Sequence, residues 1–197
     1  MVRRAEKAKS REGLTMSVAG LVTVEDVAAM ARDAYRYDLI RGELRRMAPA
    51  GFEHGLITVR ISGPLYAYVE ARHLGVVLTA ETGFVLRRDP DTLLAPDVSF
   101  VRAERVPPRE AWRGFAEVAP DLAVEVVLPG DRPGEIREKI GAYLEAGIPL
   151  VWSVDPGKRT VTVHRPGRDP EELGENGVLD GEAVVPGFRL PVADLFR

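Results

Sequence analysis

The chain has 197 residues, 45% of them apolar, enough for one well-buried core, so it is read as a single domain over residues 21–197 behind a mobile N-terminal tail, residues 1–20. It contains no cysteine, which excludes disulfides, thiolate metal sites and cysteine nucleophiles and leaves any metal to oxygen or histidine ligands. The net charge of -3 is uneven: Arg3, Arg4, Lys7, Lys9 and Arg11 outweigh Glu6 and Glu12 in the tail, so the body is acidic and is no general DNA binder by charge alone.

The tail lacks the apolar centre of a signal peptide, and nowhere does the chain hold the roughly 18 to 20 uninterrupted apolar residues of a membrane span. A cytoplasmic protein without membrane partners is expected. From Thr23 an amphipathic helix is predicted, with Thr23 and Asp26 at capping-box spacing and Val24, Val27, Ala28 and Ala31 as its apolar stripe. Tyr37–Ile40 and Leu44–Met47 flank Arg41-Gly42-Glu43 and read as a hairpin. After Pro49-Ala50-Gly51, the residues Leu56, Val59, Ile61, Leu65, Tyr68 and Val69 predict a helix bent at Pro64.

Three strands are predicted next, at Val76–Leu86, Leu94–Val101 and Leu122–Leu128. The second and third are joined by a long connection with a helical patch around Trp112. Gly134–Ala146 reads as a helix with Ile136, Ile140, Tyr143 and Leu144 inward and Gly147 as its stop, followed by strands at Pro149–Val154, Thr160–His164 and Val184–Phe188. The order α-β-β-α-β-β-β-α-β-β with a short β tail implies a mixed α/β fold, a central mixed sheet flanked by helices.

Asp97 lies in Ala95-Pro96-Asp97-Val98, and Glu125 lies inside the apolar run Leu122–Val127. A carboxylate in a core strand is costly to bury unless paired, protonated or metal-bound. Either both chelate a hard divalent cation, magnesium or manganese, or Asp97 caps a turn while Glu125 pairs with an arginine. Lys139 sits at the edge of its helix's inward face, where it either snorkels to solvent or serves the site. Glu43 is a third metal-ligand candidate or a solvated hairpin residue; His54 is a general base, a phosphate contact or a helix-start residue. His73 and His164 stand in no metal-ligand spacing. The motifs GxSxG, GxxxxGK[ST], HExxH and strand-linked GxGxxG are missing, so serine hydrolysis and Gly-rich nucleotide binding have no support.

Tyr37-Asp38-Leu39-Ile40-Arg41-Gly42-Glu43-Leu44, then His54, Pro96-Asp97-Val98, Val124-Glu125-Val126 and Glu135–Lys139 with Tyr143 and Gly147-Ile148-Pro149 together resemble the Uma-two family of restriction endonucleases. The resemblance covers about Thr23 to Phe196. It implies a restriction-endonuclease-like PD-(D/E)XK fold and a magnesium- or manganese-dependent endonuclease acting on DNA. Asp97 and Glu125 are then the motif acids, and Glu43 the additional metal ligand. The family lysine two residues after the glutamate is Val127 here, which makes Lys139 the substitute, with His54 a further catalytic candidate. A homodimer suits the cutting of two strands. The absent strand lysine also keeps open a catalytically silent nucleic-acid-binding or assembly module of the same fold.

Overall fold

The computed structural model describes residues 20–30, 36–47 and 49–197. The expected tail therefore lies outside the described residues apart from Gly20, as does Ala31. Helix α1 (Val24–Met30) begins at the expected capping box, with the Asp26 amide donating to Thr23 Oγ1 at 3.2 Å and the Thr23 amide to Asp26 Oδ2 at 2.9 Å. Strands β1 (Arg36–Ile40) and β2 (Glu43–Met47) pair from Arg36↔Met47 to Ile40↔Glu43. Their two-residue turn has φ of 50° at Arg41 and 80° at Gly42, the pair of positive values that a tight hairpin requires. Helix α2 (Phe52–Arg72) runs through Gly63-Pro64 as one element.

Two expected strands each divide. The run Val76–Leu86 is β3 (Gly75–Thr79) and β4 (Phe84–Arg87), separated by a turn in which the Thr82 amide donates to the Thr79 carbonyl at 3.0 Å. Gly83 closes that turn so near Phe115 that a Cβ would come within 2.7 Å of the ring. The run Leu94–Val101 is β5 (Thr92–Leu94) and β6 (Val98–Arg102). Pro96 cannot donate to a ladder, so the chain leaves one sheet at Leu94 and joins another at Val98. The connection that follows holds two 3₁₀ turns, Ala103–Arg105 and Arg109–Arg113, the second carrying Trp112.

Strand β7 (Leu122–Val126), helix α3 (Pro133–Glu145), and strands β8 (Leu150–Asp155) and β9 (Thr160–His164) stand where the periodicity puts them. Beyond β9 come β10 (Glu171–Leu173), β11 (Val178–Asp180) and β12 (Arg189–Pro191), each too short for an alternation to be visible. Val184–Phe188 is a turn, not the expected strand. Gly187 reverses the chain there at φ 79°, and Phe188 is stacked on Trp152 and edge-on to Tyr68.

The large sheet has the order β10-β9-β8-β7-β6-β3, and a smaller one the order β2-β1-β5-β4. Strands β7 and β8 are parallel and joined through α3, whereas β6–β7 and β8–β9 are antiparallel, giving the expected mixed α/β architecture. Alternation along β7 divides the core. Leu122, Val124 and Val126 pack with Ile57, Ile61, Leu65 and Val69 of α2, while Ala123 packs with Ile140 and Tyr143 of α3. The same period turns Glu125 toward α3. No helix among the described residues is long and apolar enough to cross a membrane.

Ser99 lies opposite Ala123 in the β6–β7 ladder, fully buried, and among the described residues its hydroxyl has no hydrogen-bond partner. An orphaned buried hydroxyl opposes folding. Ser99→Ala is expected to raise the unfolding free energy by about 1 kcal/mol in urea denaturation; a loss of stability would show that the hydroxyl is satisfied after all.

Candidate active site

Four elements and one connection deliver the polar side chains that the fold buries together. Asp38 lies in the middle of β1 and belongs to the small sheet; Glu125 is the fourth residue of β7 and belongs to the large one. Asp97 occupies the link between β5 and β6, which is also the link between the two sheets. His54 stands in the first turn of α2, and Lys139 and Tyr143 are one turn apart on the inner side of α3.

Lys139 Nζ is 3.0 Å from Asp38 Oδ2 and 3.0 Å from Glu125 Oε2, so one ammonium serves two carboxylates from different sheets. The Tyr143 hydroxyl donates a short hydrogen bond to the other oxygen of Glu125. Asp97 Oδ2 accepts from the Val126 amide at 2.8 Å and faces His54 Nε2 at 3.0 Å. The side chains of Asp38, Asp97, Glu125, His54 and Lys139 are all between 7% and 15% exposed.

Charge is unbalanced in this cluster. Burial pushes Glu125 up to about 7; Lys139 opposes that rise, and Asp97 and Asp38 add to it. Burial alone would lower Lys139, but Glu125 and Asp38 outweigh it and hold the lysine above its ordinary value, so it is an ammonium at neutral pH. Its hydrogen bond to Asp97 raises His54 against the opposing effect of burial. Burial and Glu125 keep Tyr143 protonated, as its role as donor requires.

The structure brings together four of the residues singled out in the sequence, Asp97, Glu125, Lys139 and His54, and leaves the fifth apart. Glu43 is on the hairpin with its side chain 73% exposed, 3.7 Å from Arg45, and does not line the cleft. Strand alternation explains why. Glu43 pairs with Ile40 beside the turn of the hairpin, whereas Asp38 is two residues deeper on the same strand face, within reach of α3. Asp38 was legible as an acid inside the apolar strand Tyr37–Ile40, the signal that picks out Glu125. Tyr143 looked like core, and nothing in the sequence marks its hydroxyl. Val127 lines the cleft beside Glu125, where it supplies no charge.

Asp38, His54, Asp97, Glu125 and Lys139 line a cleft of about 540 Å³, with Arg36, Arg45 and Arg46 at its wall. Among the described residues, no group of three or more acidic or histidine side chains is placed to hold a metal ion. Magnesium, however, is commonly bound by one or two carboxylates, with substrate phosphate and water completing the shell. Asp97 and Glu125 would supply that hard oxygen set, and a cation would offset both the burial that chiefly raises Glu125 and the repulsion from Asp97 that adds to it. The residues present fit such an ion.

Lys139→Met would leave two buried acids without their shared cation and is expected to lower the unfolding free energy by about 3 kcal/mol. Adding Asp38→Asn should restore part of it. Urea denaturation of the single and double variants measures both, and wild-type stability in Lys139→Met would show that the acids do not depend on the lysine.

The model of the Uma2 family, described as "Putative restriction endonuclease", matches residues 24–193. A crystal structure from Anabaena variabilis, described as a "putative nuclease belonging to DUF820", superposes with a TM-score of 0.78. At 19% identity, that likeness spans 89% of this chain and 97% of the other, and it shows a shared fold. No curated protein matches the chain.

Proposed function

The chain belongs to the Uma2 family, and from its site we propose that it is a magnesium- or manganese-dependent endonuclease that hydrolyses phosphodiester bonds in DNA. The observation that carries this reading is the meeting, in one cleft, of Asp97, Glu125 and a lysine 3.0 Å from the glutamate, although Val127 stands two residues after Glu125. The family description supports a nuclease-type activity and, through the word restriction, DNA as the polymer.

Asp97 and Glu125 would hold the cation. When bound, such an ion polarises a phosphate and lowers the pKa of an attacking water. The protein's own groups do the rest. The Val126 amide and His54 fix one oxygen of Asp97, so the carboxylate meets its ligand without reorganising. Tyr143 restrains Glu125 in the same way from α3.

Lys139 is charged at neutral pH and therefore donates; it steadies negative charge developing on the phosphate and does not accept a proton from water. An ammonium has three N–H groups, and two serve Asp38 and Glu125. The third is available to a phosphate oxygen. The hydrogen bond to Asp97 favours the protonated form of His54, the form that would serve as a general acid toward a departing oxygen. Arg36, Arg45 and Arg46 stand at the wall along which a phosphodiester backbone would lie, and Glu138 holds the Arg45 guanidinium in place at 2.6 Å.

Manganese titrated calorimetrically into the wild type is expected to bind saturably, and Glu125→Ala to lose that binding. On supercoiled plasmid with magnesium or manganese, Asp97→Ala and Glu125→Ala should each reduce nicking by at least about 100-fold while the circular dichroism spectrum stays unchanged. Wild-type nicking by both variants would sink the site assignment, and saturable metal binding with no cleavage of any DNA would sink the enzymatic reading.

A further inference from the structure

Helix α2 buries Ile57, Ile61, Leu65 and Val69 against the large sheet, and a helix so placed normally turns charged residues to water. Its outer face does not: no exposed position between 55 and 67 carries a charge. Phe52 is 89% exposed, Val59 64%, Tyr66 53% and Leu56 37%. Arg60, the one charged residue in that stretch, is half-buried and donates to the Leu195 carbonyl at 3.0 Å. An apolar stripe of this length on a helix marks a covered surface.

The stripe is also nearly palindromic about Val59. Phe52 and Tyr66 lie seven residues to either side, and Gly55 and Gly63 lie four to either side, all within one face of the helix. Among the described residues, and apart from the helix's own neighbouring backbone, no atom comes within 4 Å of a Cβ built on either glycine, so both are open notches. A two-fold interface sets residue i of one copy against residue j of the other and j against i, so an axis at Val59 pairs like with like on this face, aromatic with aromatic and glycine with glycine. Antiparallel packing about Val59 sets Phe52 opposite Tyr66 and Gly55 opposite Gly63, with the glycines permitting close approach of the two helices.

The area is of the right order. Tyr66 continues into a cleft of about 750 Å³ that Trp112, 57% exposed, also lines. Phe52, Tyr66 and Trp112 together leave the equivalent of about two whole aromatic side chains uncovered, on the order of 400 Å² per protomer. A stable interface uses about 800 Å² per partner, of which the apolar centre is roughly this share.

We propose that the outer face of α2 is an isologous interface between two copies of this chain, packed antiparallel about a two-fold axis at Val59. The proposal stands on the helix face and does not depend on the nuclease reading. Sedimentation of the full chain at micromolar concentration is expected to give a dimer. Val59→Asp, at a position too exposed to disturb the core, should give a monomer with an unchanged circular dichroism spectrum and a dissociation constant at least about 100-fold higher, since the charge enters the interface twice.

Because the chain has no cysteine, Val59→Cys supplies a second readout that leaves the helix face apolar. Mild oxidation should link two copies through position 59, while Glu53→Cys on the same helix should link poorly. A monomeric wild type, a dimer that survives Val59→Asp, or equal linking through positions 53 and 59 would each overturn the proposal.

Discussion

One ammonium shared by two buried carboxylates governs the architecture around the cleft. Asp38 and Glu125 come from different sheets, and neither could be buried as an anion without a cation between them. Lys139 can stand there because α3 connects two parallel neighbours of the large sheet and so must lie across its face. The lysine does not neutralise the cluster, since Asp97 adds a third acid and Glu125 is held up near 7. The remaining polar contacts follow from that surplus: His54 turns to Asp97, and Tyr143 places its hydroxyl on the glutamate.

The sequence yields more of this site than of its surroundings, for a physical reason. Asp97 and Glu125 stand out because acids inside apolar runs need an explanation, and the helix bearing Lys139 is recognised by its period. Asp38 carries the same mark yet is eclipsed by Glu43, which the family resemblance favours and which the hairpin register leaves on the exposed end. What distinguishes the two acids is depth along a strand, and depth depends on α3, more than ninety residues later in the chain.

Two apolar segments of the sequence span a change of sheet. Val76–Leu86 and Leu94–Val101 each hold two apolar stretches separated by only a few residues, but the two stretches belong to different sheets. Period tells that a residue faces a core and does not tell which one. Pro96 and Gly83 were the local signs of the breaks, and both are explained by contacts or by a missing donor that only the folded chain reveals. Val184–Phe188 failed for a related reason: its burial comes from covering Trp152, not from pairing in a ladder.

Asp97 occupies the link where the chain passes from the small sheet to the large one, and Lys139 clasps an acid from each. The angle between the sheets is therefore gauged at the cleft itself. A tilt of one sheet against the other would lengthen a 3.0 Å contact on one side of the lysine before it disturbed any hydrophobic layer. Ion pairs lose their hydrogen-bonded geometry within a few tenths of an ångström, whereas apolar contacts tolerate such slippage. The clasp thus acts as the fine adjustment of a joint whose coarse position is set by the cores on either side, and substitutions in either sheet, however distant, can be read at this one nitrogen.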